Sequence, residues 1–170
     1  MIKPYLHWHP EIDASAFIAG SADIMGRVSI GADSSIWYQC VLRGDVHDIR
    51  IGARSNIQDH SVIHTSYNIT PCIVGDDVTV GHRVLLHGCE IEDGCLVGMG
   101  SILMDRSRLE SGCLLAAGSL VTEGKVLRGG YLYAGSPARE KRELNDDEKA
   151  FLKASPAHYV TLSKTHMPQA

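Results

Sequence analysis

The sequence predicts an all-β protein, a parallel β-helix built as a three-sided prism, with an α-helical appendage at its C-terminal end. Aliphatic residues recur every six positions between about residues 11 and 130, a period that fits neither an amphipathic helix nor a simple strand. A small residue usually stands four positions after the aliphatic one, as at Ser34, Ser55 and Ser101. The 170 residues include only two Phe and two Trp, so we expect a narrow aliphatic core.

Each six-residue unit predicts one short strand and one turn, and three units, about 18 residues, close one coil. The aliphatic side chain points inward, the small residue fits the corner, and successive coils stack about 4.8 Å apart. The aliphatic series is Ile12, Ile18, Ile24, Ile30, Ile36, Leu42, Ile51, Ile57, Ile63, Val74, Val80, Leu86, Ile91, Val97, Leu103, Leu109, Leu115, Val121 and Leu127. Residues 1–10 are expected to close one end, because solenoids need caps.

The repeat stops after Gly130. We therefore expect a β-helix with its N-terminal cap at residues 1–135 and a helical segment at residues 136–170. Because short helices are marginal on their own, this segment should pack on the prism or on a neighbouring molecule.

Two short helices are expected in the C-terminal segment. Asn145 with Glu148 three positions later is typical of a capping box, and predicts a helix over about 146–154. Pro156 suits the first position of a second helix, because proline lacks only an N–H that is unpaired there.

Composition and charge exclude several classes of function. With 16 Lys and Arg against 20 Asp and Glu, the formal net charge is -4, which gives no electrostatic reason to expect a nucleic-acid partner. We expect no membrane span, because no apolar run of about 18 residues occurs. The N-terminus lacks the pattern of a secretory signal. Five Cys without a CxxC pair favour reduced thiols and a cytoplasmic location.

The period of six is interrupted three times. Successive aliphatic positions are nine residues apart over 42–51, eleven apart over 63–74 and five apart over 86–91. Counting three units per coil, all three interruptions follow units on one face of the prism. Loops that leave a rigid scaffold are the usual place for a site, so this face is the predicted functional face.

Three histidines lie near these interruptions. His64 and His87 each follow an inward residue by one position on successive coils, so they should be one strand spacing apart. His82 follows Val80 by two positions, on the preceding face, one coil above Asp59. Two stacked histidines and one around the corner do not easily converge within one chain.

Three prisms packed around a three-fold axis would bring His64 and His87 of one chain to His82 of the next. Three histidines with an open fourth position are the pattern of a catalytic zinc site. Neutral imidazole also suits Fe²⁺ and Co²⁺, so the metal is not fixed by the sequence.

Further polar residues lie in RGD at 43–45 and NIQD at 56–59. Arg43 lies one coil below His64 by the same count. We expect Asn56 and Gln58 to hydrogen-bond a metal-bound water or a small anion. Arg43 and Asp59 could pair across subunits, and pairing at the surface alone is the open alternative.

At these motifs the sequence resembles the gamma-class carbonic anhydrases, in particular their shorter bacterial branch. The resemblance rests on RGD at 43–45, NIQDHSVIH at 56–64, VGHRVLLHGC at 80–89, VGMGSILMD at 97–105 and YLYAGSPAR at 131–139. It implies a left-handed β-helix that forms a homotrimer, with metal sites between subunits. The implied metal ligands are His64, His82 and His87, and the implied metal is Zn²⁺, with Fe²⁺ or Co²⁺ possible.

The resemblance also implies an activity, the reversible hydration of CO2 to bicarbonate by a metal-bound hydroxide at the subunit interface. By the same motifs, the resemblance implies that Gln58 and Asn56 orient the water and bicarbonate, and that Tyr159 closes the site. It also implies an intersubunit network that consists of Arg43, Asp45 and Asp59. The sequence departs from the archaeal type enzyme in the loop at 65–71, which has no carboxylate. In the type enzyme, acids of this loop serve proton transfer.

Three other functions are open at this stage. The same metal centre could hydrolyse an acyl-CoA thioester, or the protein could be a non-catalytic metal-binding scaffold. Acyl transfer is common on six-residue-repeat scaffolds, but those enzymes use one catalytic histidine and a coenzyme A groove, and three convergent histidines argue against it.

Overall fold

The computed structural model describes residues 1–167 and has the predicted architecture. It is a left-handed parallel β-solenoid of about seven turns followed by a single α-helix. Short strands dominate because each inward aliphatic residue is followed at once by a corner. The fold class predicted from the period of six is therefore confirmed.

Residues 1–167 form twenty strands and one helix. Numbered along the chain, they are β1 (Ile2–Lys3), β2 (Glu11–Ile12), β3 (Phe17–Ile18), β4 (Asp23–Ile30), β5 (Ser35–Ile36), β6 (Val41–Ile51), β7 (Asn56–Ile57), β8 (Val62–His64), β9 (Cys72–Val74), β10 (Thr79–Val80), β11 (Leu85–His87), β12 (Glu90–Ile91), β13 (Leu96–Val97), β14 (Ile102–Leu103), β15 (Arg108–Leu109), β16 (Leu114–Leu115), β17 (Leu120–Val121), β18 (Val126–Leu127), β19 (Tyr131–Ala134), β20 (Arg139–Glu143) and α1 (Asp146–His166).

The prism has three faces. The histidine face contains the start of β6 and then β8, β11, β14 and β17. The third face contains the end of β6 and then β9, β12, β15 and β18. The helix face contains β3, β5, β7, β10, β13, β16 and β19, and α1 packs against it.

The core is the predicted stack of aliphatic side chains. Leu42, Ile63, Leu86 and Leu103 pair directly on the histidine face, and all four are fully buried. Burying one such side chain contributes about 1.5–3 kcal/mol. The five cysteines are also buried and carry free thiols: Cys40, Cys72, Cys89, Cys95 and Cys113.

The first interruption is a strand rather than the expected loop. Residues 42–51 lie within β6, which pairs with β4 at residues 41–44 and 49–51, with a register shift between Gly26 and Val28. Gly26 has φ +76°, and a Cβ there would collide with the Gly44 carbonyl. The two glycines thus let the paired strands turn from the histidine face to the third face without leaving the sheet.

The C-terminal segment forms one helix, so the expectation of two helices is wrong. The capping box of Asn145 and Glu148 is confirmed, but α1 continues through Pro156. An interior proline removes one helical hydrogen bond. Here Pro156 and its neighbour Ser155 are buried, and packing on the helix face keeps the chain helical.

The helix rests on the prism of its own chain. Tyr159 and Leu162 pack against Phe17 and Trp37. Within residues 1–167, no helix combines the length and apolar character that crossing a membrane requires. The last three residues of the expected 136–170 segment lie outside the described residues.

Candidate metal centre

His64 and His87 are neighbours on the histidine face, as the count of six-residue units predicts. They are paired residues of β8 and β11, and their ring centroids are 5.2 Å apart. His64 Nδ1 lies 3.3 Å from His87 Nε2. Two imidazole nitrogens bound to one tetrahedral zinc at about 2.0–2.1 Å lie about 3.3–3.4 Å apart. The pair therefore has the spacing that a shared metal ion requires.

Each of these two rings contacts a carboxylate through its other nitrogen. Asp45 Oδ1 is 3.0 Å from His64 Nε2, and Asp105 Oδ1 is 2.9 Å from His87 Nδ1. Carboxylates only accept, so in neutral rings the protons lie on those two nitrogens. The remaining nitrogens then present lone pairs to each other. A cation between the two nitrogens would accept both lone pairs and remove their mutual repulsion.

The surroundings of His64 keep its imidazole neutral. Burial lowers the pKa of His64, and the Arg43 charge lowers it further, while the contact with Asp45 opposes both. Burial alone would raise the pKa of Asp45, but its hydrogen bonds from Arg43 and His64 together lower it. His64 is thus held neutral beside an ionised carboxylate, which is the state a metal ligand needs.

His82 lies on a different part of the prism. It occupies the corner between the helix face and the histidine face, where its Nδ1 is 2.9 Å from Asp59 Oδ2. That contact leaves Nε2 free, and the side chain is 44% exposed. Within residues 1–167 of a single chain, no three His, Cys, Asp or Glu side chains form a metal-binding group.

Gln58 and Asn56 form a fixed polar row on the helix face. Gln58 Nε2 donates to Asn56 Oδ1 at 3.0 Å, and Asn56 Nδ2 donates to Thr79 Oγ1 at 3.0 Å. Thr79 Oγ1 is also 2.8 Å from Ser155 Oγ on α1. The helix therefore anchors the row through the hydroxyl of Thr79.

Tyr159 faces the same region from α1. It lines a cavity of about 290 Å³ together with Gln58 and His82. Its ring packs edge-on against Trp37, with the two ring centroids 5.6 Å apart. Burial raises the pKa of Tyr159, and the nearby charge of Asp59 adds to this. The phenol is thus neutral at physiological pH, next to the predicted ligand His82.

The predicted network residues have partners within the chain. Arg43 Nη1 donates to Asp45 Oδ2 at 2.5 Å, so Arg43 and His64 share one carboxylate. Asp59 contacts His82. Pairing of Arg43 with Asp59 across subunits stays a prediction.

Sequence reasoning missed the roles of Asp105, Thr79 and Ser155. Asp105 ends the motif at 97–105, and it lies one coil above Gly88, the residue that follows His87. The period of six by itself predicts that Asp105 lies one coil above Gly88. By contrast, the contact between Thr79 and Ser155 depends on how α1 docks, which no repeat encodes.

Comparison with known proteins gives a consistent picture. Residues 71–104 match the family model described as hexapeptide repeat of succinyl-transferase. A carbonic anhydrase of Geobacillus kaustophilus is 53% identical over 87% of this chain and 81% of that protein. Mitochondrial gamma carbonic anhydrase 1 of Arabidopsis thaliana is 44% identical over 92% of this chain, which spans 59% of the length of that relative.

Among solved structures, a hexapeptide transferase family protein from Anaplasma phagocytophilum has a TM-score of 0.94 to this chain. The two are 45% identical, and the match covers 98% of each chain. The likeness thus includes the C-terminal helix as well as the prism.

Proposed function

Because the chain belongs to the gamma carbonic anhydrase family, we propose that it is a metal-dependent carbonic anhydrase that catalyses the reversible hydration of CO2 to bicarbonate. The observation that carries this function is the His64–His87 pair. Its facing nitrogens are 3.3 Å apart, and each ring contacts an aspartate through its other nitrogen. Carboxylate-supported imidazoles are typical of metal ligands.

The proposed site is completed by His82 of a neighbouring copy in a homotrimer. Support comes from the outward side of the histidine face, where one aliphatic residue stands on each of five successive coils. This apolar stripe consists of Val41, Val62, Leu85, Ile102 and Leu120. Its members Val62 and Ile102 are 37% and 38% exposed, and an aliphatic row of this kind is typical of a surface that another subunit covers.

Zinc is the proposed metal, with Fe²⁺ or Co²⁺ as alternatives that imidazole also accepts. When bound, such an ion supplies Lewis acidity that makes hydroxide available near pH 7. Gln58 and Asn56 would orient the reacting water and bicarbonate, because their amides are already fixed by the row that ends at Ser155. Tyr159 would close the site and exclude bulk water.

Arg43, Asp45 and Asp59 form the proposed network between subunits. Arg43 is exposed beyond its contact with Asp45, and its planar guanidinium can bind a second carboxylate. We expect a double-mutant cycle between Arg43 and Asp59 to give a coupling of about 1 kcal/mol or more in the trimer. Zero coupling would show that Asp59 does not interact with Arg43 across the subunit interface.

A reducing compartment, the cytoplasm, is the proposed location. It is supported by the five buried free thiols, because structural disulfides are rare in cytosolic proteins.

The decisive experiment combines metal analysis with stopped-flow CO2 hydration. The purified protein should bind one divalent metal per chain and hydrate CO2. His64→Ala, His82→Ala and His87→Ala should each lose most of the metal, whereas Gln58→Ala should keep the metal and lose hydration. A full metal equivalent in His82→Ala would contradict the shared site.

Light scattering tests the assembly. The native protein should have three times the chain mass of 18.5 kDa. Ile102→Glu should dissociate the trimer, because it places a charge in the apolar stripe. Val126→Glu is the matched control, since Val126 is 47% exposed but lies on the third face. A metal-loaded monomer of the native protein would exclude the intersubunit site.

Acyl transfer is the second candidate, because the Anaplasma phagocytophilum structure is described as a hexapeptide transferase family protein. Acetyl-CoA and a panel of acyl-CoA esters separate the remaining functions. Transfer to an acceptor by metal-free protein would favour the acyltransferase. Metal-dependent hydrolysis of acyl-CoA without CO2 hydration would identify a thioesterase. Metal binding with neither activity would identify a non-catalytic scaffold.

A further inference from the structure

We infer that Asp105 is the positioning residue for His87, and that the hydroxyl groups of Ser66 and Thr70 in the 65–71 loop hold Asp105 in place. The inference rests on the proposed function, since it concerns how the proposed metal ligand is oriented. It assigns a role to the loop as well as to the carboxylate.

The contacts of Asp105 use both of its carboxylate oxygens. Oδ1 is 2.9 Å from His87 Nδ1, and Oδ2 accepts a hydrogen bond from Ser66 Oγ at 2.8 Å. Thr70 Oγ1 lies 3.5 Å from Oδ1. The proton of the imidazole is thereby held on Nδ1, and the lone pair of Nε2 points toward His64, where the metal is proposed. A carboxylate that accepts a hydrogen bond from the outer nitrogen of a metal-binding imidazole fixes both the tautomer and the orientation of the ring.

The shape of the loop brings its two hydroxyls to one side. Ser66 and Thr70 form an isolated antiparallel bridge, while Tyr67 and Ile69 point outward and are 71% and 61% exposed. The loop contains no carboxylate that could relay a proton. Its polar groups contact Asp105 instead, so the loop acts as a support for a metal ligand.

A glycine leaves the room that this arrangement needs. Gly88 directly follows His87, and a Cβ there would collide with Asp105 Oδ1 and Thr70 Oγ1. Three coils therefore meet at one point: the loop after β8, the end of β11 and the corner after β14. An aspartate at an ordinary corner behaves differently. Asp93, for example, accepts from the backbone N of Asp76 at 2.8 Å.

Metal affinity tests the inference without reference to activity. The protein is freed of metal and titrated with Co²⁺ against a competing chelator, and the visible Co²⁺ spectrum is recorded. Asp105→Ala should bind Co²⁺ about 10–100-fold more weakly and change the spectrum. Asp105→Asn keeps an acceptor for Nδ1 and should lose less, and Ser66→Ala should lose least. Asp93→Ala, the matched control, should bind Co²⁺ as the native protein does.

The outcomes separate this inference from the proposed function. Native affinity and spectrum in Asp105→Ala would overturn the positioning role while leaving the metal site intact. Equal losses in Asp105→Ala and Asp93→Ala would also overturn it, because they would reflect general destabilisation. If Asp105→Ala does not fold, unchanged affinity in both Asp105→Asn and Ser66→Ala overturns it. A native protein that binds no Co²⁺ would defeat both the inference and the proposed function.

Discussion

Replacing Gly88 with alanine should damage both the stability of the prism and its metal affinity. Gly88 has φ +54°, and an added methyl group would enter the space between Asp105 and Thr70. Gly94 provides a matched control, because it has φ +65° and no atom within 4 Å of an added Cβ. Gly94→Ala therefore isolates the backbone cost, and Gly88→Ala adds a steric clash to it.

The two costs can be worked out separately. An alanine held at left-handed φ costs about 1–2 kcal/mol, and an extra methyl in a packed site costs about 1–3 kcal/mol. Gly94→Ala should thus lower the free energy of unfolding by about 1–2 kcal/mol, and Gly88→Ala by about 2–5 kcal/mol. Because the methyl group at position 88 displaces Asp105, the metal affinity of Gly88→Ala alone should fall by about tenfold or more.

Two measurements on metal-free protein test these values. Denaturant unfolding at one fixed protein concentration gives the stabilities, since assembly would make them depend on concentration. Chelator competition gives the metal affinities. Equal destabilisation by the two substitutions would show that no clash exists at Gly88. A native metal affinity in Gly88→Ala would show that Asp105 can move without consequence for the site.

Three further predictions concern the prism and the helix. Thr79→Val should lower the free energy of unfolding, measured in denaturant, by about 1–3 kcal/mol, because it removes the buried hydroxyl that contacts Asn56 and Ser155. Leu127→Ala should cost about 2–5 kcal/mol, whereas Val126→Ala, beside it on the exposed side of β18, should cost under about 1 kcal/mol. The hydrogen bond from Arg142 lowers the pKa of Glu148 to about 2. The stability that this hydrogen bond contributes is fully present above the unfolded pKa of about 4.3, and it is lost as the pH falls through about 2. The melting temperature of the native protein should therefore fall more steeply over this acid range than that of Glu148→Gln.

The sequence predicts the prism well because its period is a property of the backbone. Counting in sixes was enough to stack Leu42 under Ile63 and His64 under His87, both confirmed by the strand register. Counting residues does not predict local structure where close backbone contacts or the packing of α1 on the prism determine it. The strand over 42–51 depends on two glycine backbones in contact, and the helix through Pro156 depends on burial against the prism.

The support of the three histidines follows one geometric rule of the solenoid. Asp45 precedes His64 by 19 residues, and Asp105 follows His87 by 18, so each carboxylate belongs to the coil below or above its histidine. Asp59 stands one coil below His82 in the same way. Neighbouring coils are about 4.8 Å apart, a distance that one side-chain hydrogen bond can span. A ligand on any coil can thus take its supporting carboxylate from the next coil, because the stacking of the coils brings the two side chains within reach of each other. We expect residues one coil away from a metal ligand to matter more to such a site than residues adjacent in sequence.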